Sequence, residues 1–301
     1  MHLDQLRSKC FYYIERKSLL MKIFISADIE GISGVATIQQ LVNNGEYQRF
    51  RKLMTAEVNA AIRGAFKGGA NEVVVADGHG NMSNIIIEEL DQRARLVSGN
   101  NRVMCQLEGL DETFDGIIFI GHHGRESATN AVISHTLAGI CVKEMKINNR
   151  IIGETEMNAF VAGSMNVPAL FISGDDQYIE EVKETLPDVE SVVVKYAKDR
   201  LAAELIHPEV VRNEIEEKVA SSLKLANTMK PLKLSGPITY EIEFKGPQQA
   251  HMTSTIPSVT MLSPTRITFT CKDMVTAYKH MWGCVIIAMA ATNGVLGSAN
   301  A

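Results

Sequence analysis

Acidic residues and histidines directly follow four apolar runs of this sequence, at the points where strands would leave a sheet. The runs and the residues after them are KIFISA with Asp28 and Glu30, VVVA with Asp77 and His79, IIFIG with His122 and His123, and FISG with Asp175 and Asp176. Carboxylates and neutral imidazoles are the usual protein ligands of Zn²⁺ and Mn²⁺. Residues two apart in an extended chain point to the same side, so Asp28 and Glu30 are expected to face one spot.

Short β-branched runs alternate with helical patterns from Lys22 to about residue 198. The predicted strands are KIFISA, NEVVVADG, DGIIFIG, VPALFISG and ESVVVKYA, and helices are predicted from Met54, over 154–164 and over 177–186. This alternation predicts an α/β fold with a mainly parallel sheet covered by helices on both faces. The strand C-termini of such a sheet share one edge, where ligands bind. We therefore expect the four polar clusters to meet there and to bind metal.

The sequence changes character after residue 200. An amphipathic helix begins near Pro208, two strands are predicted in PITYEIEF and TRITFTCKD, and a long apolar helix is predicted from Met274 to Thr292. We therefore divide the chain into an α/β metal-binding catalytic domain, 21–200, and a smaller α+β C-terminal unit, 201–301. Residues 1–20 lack a period and are predicted to be a disordered N-terminal extension. A signal peptide is not favoured there, because Lys22 interrupts the apolar run.

The composition argues against several classes of partner. The 301 residues include 30 Lys and Arg against 35 Asp and Glu, for a net charge of −5. This charge, without a basic cluster, argues against nucleic acid and anionic membranes as partners. No apolar run is expected to reach the roughly 20 residues of a membrane helix. The five cysteines are scattered without a C-x-x-C pair, which is typical of reduced thiols and predicts a cytoplasmic protein.

Each polar residue also has an ordinary structural explanation. An Asp after a strand commonly forms a turn or a helix N-cap, which is the default expectation for one of Asp175 and Asp176. His79, between glycines, could be a surface residue. Only one of His122 and His123 can face the site if the chain is extended there, and the spacing does not decide which. The convergence of all these residues on one edge is what favours a metal site.

Six blocks of the sequence resemble a known family. They are SADIEGISG, ADGHGNM, LEGLDETFDGIIFIGHHGRES, ISHT, IIGETEMNAFVAG and FISGDD. The same blocks occur in the same order in the zinc-dependent D-aminopeptidases, the DppA-like proteins of dipeptide-transport operons. The similarity runs from Met21 to about Thr292. A set of motifs spread over six blocks is specific, whereas the motifs HExxH, GxSxG and GxxxxGK[ST] of other enzyme classes are absent.

The resemblance implies a site that holds two zinc ions. Asp28 matches a bridging carboxylate that contacts both ions. Glu30 and His79 match the further ligands of one ion, and His123 and Glu154 match those of the other. None of the patterns described above would have selected Glu154, since an acidic residue in the first turn of a helix is favourable in itself.

Four further residues are connected with the site. His135 in the ISHT block matches an additional catalytic histidine of the family. Asp77 is a candidate for orienting a metal ligand, since metal-bound imidazoles usually donate their other N–H. His122 is a candidate for lining the site, and Asn158 lies in a matched block without an assigned role.

The resemblance implies a function and leaves two alternatives. The implied function is hydrolysis of short peptides, with D-amino acids at the N-terminus, by a water molecule that two zinc ions activate. Family members form rings, so a homo-oligomer is expected, with a decameric ring as its specific form. One alternative is a metal-dependent phosphoesterase or nucleoside hydrolase, for which Arg125 is the obvious phosphate-binding residue. The other alternative is a non-catalytic protein that binds metal or peptide.

Overall fold

Twelve strands and six α-helices form the described part of the chain, which comprises residues 20–42 and 45–292 of the computed structural model. The strands are β1 (Met21–Ala27), β2 (Ala70–Asp77), β3 (Ala94–Val97), β4 (Gly116–Ile120), β5 (Val142–Ile147), β6 (Arg150–Ile151), β7 (Ala169–Asp175), β8 (Glu190–Asp199), β9 (Ala202–Leu205), β10 (Ile238–Phe244), β11 (Thr260–Met261) and β12 (Arg266–Cys271). The helices are α1 (Tyr47–Lys67), α2 (Glu154–Ser164), α3 (Asp176–Lys183), α4 (Pro208–Ser222), α5 (Pro247–Thr253) and α6 (Met274–Thr292). The predicted extension 1–20, apart from Leu20, and residues 293–301 lie outside the described residues.

The larger sheet has the strand order β3-β2-β1-β4-β7-β8-β9. β9 pairs antiparallel with β8, and every other pairing in this sheet is parallel. The predicted α/β fold with a mainly parallel sheet is therefore confirmed. The five predicted strands correspond to β1, β2, β4, β7 and β8. β3 and β9 escape prediction because each has four residues and neither contains a buried side chain.

Helices cover both faces of the larger sheet, so neighbouring side chains of its central strands enter different cores. Ile23 and Ile25 of β1 pack in one core with residues of α1 and α4, whereas Phe24 packs in a second core with residues of α2 and of the smaller sheet. Because side chains alternate along a strand, a strand buried on both faces must be apolar throughout. This is why the central strands are visible in the sequence as continuous apolar runs.

The smaller sheet is antiparallel, with the order β11-β12-β10-β5-β6. β5 and β6 precede residue 200 and nevertheless pair into this sheet, while α4 follows residue 200 and packs on α1. The chain thus crosses the predicted boundary in both directions, and the division into domains 21–200 and 201–301 stays a prediction. β5 is not predicted from the sequence because its run VKEMKI contains three charged residues.

Helix α6 is long and apolar enough to cross a membrane by length and composition alone. The prediction that no run reaches this length is therefore wrong, because the helix begins before Lys279 and His280 and tolerates both. A core helix of a protein without a membrane span has the same properties. Seven residues of α6 are buried against α2, α5, β10 and β12, namely Met274, Ala277, Tyr278, Met281, Cys284, Val285 and Ala288.

Candidate metal centre

The candidate site lies where the strand order of the larger sheet reverses. The chain passes from β1 to β2 on one side and later reaches β4 on the other side of β1. A parallel sheet opens a crevice at the C-terminal ends of such strands, and ligands bind in it. The segments after β1, β2 and β4 carry, in that order, Asp28 with Glu30, His79, and His122 with His123. The topology therefore brings these five residues to one edge.

Segment 28–35, which follows β1, is held against the end of β4. The Asp28 N–H donates to the Ile120 carbonyl at 2.8 Å, and the Gly31 N–H donates to the Gly121 carbonyl at 2.7 Å. A Cβ atom at Gly31 would lie 1.8 Å from the carbonyl oxygen of His122. Only glycine permits this approach, because it has no side chain. The close contact places the carboxylates after β1 beside the histidines after β4.

Lys195 of β8 holds the same segment through hydrogen bonds. It was not selected in the sequence analysis. Its ammonium group is buried and donates to the carbonyl oxygens of Glu30 at 2.6 Å, Ile32 at 3.1 Å and Val35 at 2.7 Å. Three acceptors replace the water that a buried ammonium loses. The side chain of a distant strand thereby fixes the path of the segment that carries two candidate ligands.

Glu57 of α1 also holds this segment. One of its carboxylate oxygens accepts hydrogen bonds from the Ser33 N–H, at 2.7 Å, and from the Ser33 hydroxyl. Burial raises the pKa of Glu57 to about 6 and lowers the pKa of Lys195 to about 8, because each charged form loses hydration. Two buried groups of opposite charge therefore clamp segment 28–35.

Asp28, Glu30 and His79 form the first candidate group. One possible ligand atom from each lies within 4.8 Å of the other two. The Nδ1 atom of His79 lies 2.9 Å from a Glu30 carboxylate oxygen and 3.5 Å from Oδ1 of Asp28. Both carboxylates are buried, whereas the His79 side chain is 15% exposed. The carboxylates of this group are thus shielded from solvent, and solvent reaches the group at His79.

Asp77 does not contact the imidazole of His79 and instead shapes the loop that carries it. Its carboxylate accepts hydrogen bonds from the N–H groups of Asn84 and Ile85 and from the Asn84 side chain. The Asn84 amide also donates to the His79 carbonyl at 2.7 Å. The predicted orienting role of Asp77 therefore has a structural route, which runs through the loop backbone.

His123 and Glu154 form the second candidate group with Asp28. The Nε2 atom of His123 lies 3.5 Å from Oε1 of Glu154 and 3.8 Å from Oδ2 of Asp28. Its Nδ1 atom donates to the Gly124 carbonyl at 3.0 Å, so Nε2 is the nitrogen that would bind a metal ion. Among the described residues this buried Nε2 atom has no hydrogen-bond partner. Glu154 is the first residue of α2 and accepts the Leu137 N–H at 2.6 Å.

The charges of both groups fit divalent cations. Burial raises the pKa of Glu30, but His79 and His135 outweigh it and hold this pKa well below its usual value. Burial lowers the pKa of His123, but Glu154, Glu30 and Asp28 outweigh it and raise this pKa to about 9. The carboxylates thus draw positive charge onto the imidazoles. Three carboxylates and two imidazoles, with a buried imidazole nitrogen left unpartnered, are a suitable donor set for zinc.

The remaining predicted residues lie around the two groups. His135 stacks on His123 with ring centroids 4.0 Å apart, its Nδ1 donates to the Ile133 carbonyl at 2.8 Å, and its Nε2 lies 3.9 Å from Oε1 of Glu30. His122 is buried, and its Nε2 lies 3.2 Å from the Ser26 hydroxyl. One nitrogen of His122 also lies within 4.8 Å of carboxylate oxygens of Asp28 and Glu154. The structure therefore brings both histidines of GHHG close to the site.

Other polar residues have structural partners. The Asp175 carboxylate caps α3 by accepting the Tyr178 N–H at 3.0 Å, and Asp176 accepts the Ala197 N–H at 2.7 Å. The guanidinium of Arg125, the phosphate-binding candidate, lies 3.2 Å from Glu181.

A buried amide beside Asp28 and Glu154 was not selected in the sequence analysis. The Nε2 atom of Gln106 lies 2.5 Å from Oε2 of Glu154 and 3.4 Å from Oδ2 of Asp28. Its carbonyl oxygen accepts the side-chain N–H of Asn158 at 2.7 Å. Gln106 follows no apolar strand and belongs to no metal-ligand spacing, so no signal in the sequence separates it from other polar loop residues.

The parallel sheet, with two carboxylate–imidazole groups at its switch point, defines a metal-dependent hydrolase. The family model described as D-aminopeptidase matches residues 21–283, and the chain belongs to this family. It is 37% identical over 272 residues to the D-aminopeptidase of Bacillus subtilis (strain 168), which covers 89% of this chain and 98% of the relative. The predicted family and the class of metal-dependent aminopeptidase are thereby confirmed, and neither a phosphoesterase nor a non-catalytic binding protein is favoured.

A solved structure with the same fold is the Zn-dependent D-aminopeptidase DppA from Bacillus subtilis, described as a self-compartmentalizing protease. It is similar to this chain with a TM-score of 0.86 and 36% sequence identity, covering 89% of this chain and 98% of that one.

Proposed function

We propose that this chain is a zinc-dependent aminopeptidase with two zinc ions per chain, which hydrolyses short peptides carrying D-amino acids at the N-terminus. One observation carries the proposal: the two oxygens of Asp28 face different imidazoles. Oδ1 lies 3.5 Å from Nδ1 of His79, and Oδ2 lies 3.8 Å from Nε2 of His123. A carboxylate in this arrangement suits two neighbouring cations. The choice of zinc and of D-residues follows the names of the relatives.

Each ion would have three protein ligands, and Asp28 would be common to both. Glu30 and His79 would hold one ion, and His123 and Glu154 would hold the other. When bound, such a pair of ions lowers the pKa of a water molecule and polarises a peptide carbonyl.

His135 would transfer the proton in this reaction. Its Nδ1 is committed as a donor to the Ile133 carbonyl, which leaves Nε2 of the neutral ring as an acceptor that faces the Glu30 side of the crevice. An imidazole in this tautomer accepts a proton from an attacking water and returns it to the leaving amine. The stacked His123 ring keeps the His135 ring in this orientation.

Assembly and location are part of the same proposal. We expect a homo-oligomer, with a decameric ring as the specific form, in the cytoplasm. The described cysteines Cys105, Cys141, Cys271 and Cys284 are free thiols, which supports a reducing compartment.

The test is hydrolysis of matched peptides with N-terminal D-Ala or L-Ala by protein whose zinc content has been measured. We expect cleavage of the D-Ala peptide to exceed that of the L-Ala peptide and to disappear when a chelator removes the zinc. Restoring zinc to the chelated sample provides the control. Absence of cleavage of both peptides by protein with two zinc ions per chain would contradict the proposal. Release of phosphate from a phosphoester by the same sample would then favour the phosphoesterase.

A further inference from the structure

A buried pair of amide side chains adjoins two carboxylates of the second candidate group. Gln106 is 3% exposed and Asn158 is fully buried. The Gln106 amide nitrogen lies 2.5 Å from Glu154 and 3.4 Å from Asp28, and its oxygen accepts from Asn158 at 2.7 Å. One amide thus contacts the bridging carboxylate and a ligand of the second ion in the proposed site.

The direction of these hydrogen bonds is determined by the chemistry of the groups. Ionised carboxylates only accept hydrogen bonds, so the NH₂ group of Gln106 must face Glu154 and Asp28. The Gln106 oxygen then faces Asn158, which must donate through its own NH₂ group. The two amides therefore have a single favourable orientation, which Asn158 stabilises by donating to the Gln106 oxygen.

The amide of Gln106 contacts one oxygen of each carboxylate. Gln106 contacts Oε2 of Glu154, while Oε1 faces His123 at 3.5 Å. On Asp28, Oδ1 accepts the Ile29 N–H at 2.8 Å and Oδ2 lies near Gln106. A neutral donor between two carboxylates reduces their repulsion without adding a charge.

We propose that Gln106 is a positioning residue that holds Glu154 and Asp28 at the separation needed for two cations, and that Asn158 acts through Gln106. The inference rests on the proposed two-zinc function. Neither amide touches the reacting atoms in this scheme. Loss of the Gln106 amide would leave Oε2 of Glu154 without its donor, so that only the Leu137 N–H on Oε1 would orient this carboxylate, which would weaken the second zinc site more than the first.

The test compares Gln106→Met with a control that loses a similar buried amide far from the site. Gln249 is 2% exposed, accepts the Gly246 N–H and donates to the Thr292 hydroxyl, so Gln249→Met is the matched control. Zinc affinity is measured by competition with a chromogenic chelator. We expect Gln106→Met to bind the more weakly held ion about tenfold to hundredfold less tightly, and Gln249→Met to bind zinc as the wild type does.

Two further readouts separate positioning from a general loss of structure. Visible absorption of the Co²⁺-substituted protein should change in Gln106→Met and stay unchanged in Gln249→Met. Because Asn158 acts through Gln106, the double variant Gln106→Met/Asn158→Leu should bind zinc no more weakly than Gln106→Met alone. Should Gln106→Met not fold, Asn158→Leu is measured in the same way and should weaken zinc binding by a smaller factor.

Unchanged zinc affinity in Gln106→Met, or full additivity in the double variant, would overturn the inference. Both results are read against the wild type, so they differ from a failure of the proposed function. In that case the wild type itself would bind fewer than two zinc ions or would cleave neither peptide.

Discussion

At the scale of single residues, Asp28 is the carboxylate common to both candidate groups. Its two oxygens face His79 and His123, which belong to different groups. We therefore expect Asp28→Ala to lose both zinc ions together with the peptidase activity. The measurement is zinc content per chain after dialysis, alongside hydrolysis of the D-Ala peptide. Retention of one tightly bound zinc would contradict the common role of Asp28.

His135 should behave differently, because its proposed role is proton transfer. We expect His135→Ala to keep both zinc ions and to lose about 10²- to 10⁴-fold in kcat, the usual contribution of a positioned acid–base group. Zinc content and steady-state hydrolysis of the D-Ala peptide are measured, and Val210→Ala on α4, at a residue that is 57% exposed, is the control that should keep wild-type activity. Loss of zinc from His135→Ala would show instead that this histidine supports the metal.

The pattern of residue types predicts part of this site in advance. Apolar runs directly precede Asp28, Glu30 and His79, so these residues can be predicted from the positions at which the strands end. Glu154 opens a helix and His135 lies in a connecting segment, so only the likeness to a family pointed to them. Gln106 and Lys195 meet the site through contacts that span 48 and 165 residues. Contacts of this kind depend on the folded topology and leave no local pattern.

At the scale of elements, the clamp on segment 28–35 gives stability a pH dependence. The folded-state pKa of Glu57 is raised from 4.5 to about 6 by burial, so the folded state binds this proton more tightly than the unfolded state does. The stabilisation from this group is present below pH 4.5 and is lost as the pH rises through 6. The corresponding change in the free energy of unfolding is about 2 kcal/mol for this fully buried group.

Glu57→Gln removes the titration and should keep an acceptor for Ser33. We expect the free energy of unfolding of this variant, relative to wild type, to rise by about 2 kcal/mol between pH 4 and pH 7. This free energy is measured by chemical denaturation of both metal-free proteins at a fixed protein concentration. The exposed Glu88 gives the control Glu88→Gln, for which the relative stability should stay constant. If the difference in unfolding free energy between Glu57→Gln and the wild type does not change with pH, the raised pKa of Glu57 is refuted.

The helices and strands differ in how well they can be predicted from the sequence. Central strands such as β1 and β4 are buried on both faces, so they must be apolar runs. β5 is half exposed and charged, and it pairs with β10 about 95 residues later in the chain. Its place in the sheet is determined by pairing and packing, which local composition does not encode.

At the scale of the whole molecule, the smaller sheet presents features of a subunit contact. Among the described residues β11 is an edge strand, and the exposed apolar residues Met261 and Leu262 lie on or beside it. An open surface groove of about 550 Å³ next to them is lined by Met261 and Leu262 together with Pro247 and Pro264. An unpaired edge with an exposed apolar patch is a favourable surface for a second copy of the chain. We therefore place one contact of the proposed homo-oligomer here.

Leu262→Glu introduces a charge into this patch and should shift the protein to smaller assemblies, because burying an unpaired carboxylate between subunits is costly. Sedimentation velocity at several protein concentrations measures the shift, and the wild type should sediment as a single large species, with ten subunits as the specific expectation. Val210 on α4 is 57% exposed and lies outside the patch, so Val210→Glu is the matched control and should assemble normally. Equal sedimentation of Leu262→Glu and wild type would remove this edge from the interface. Zinc binding should be the same in all three proteins, because β11 contributes none of the candidate ligands.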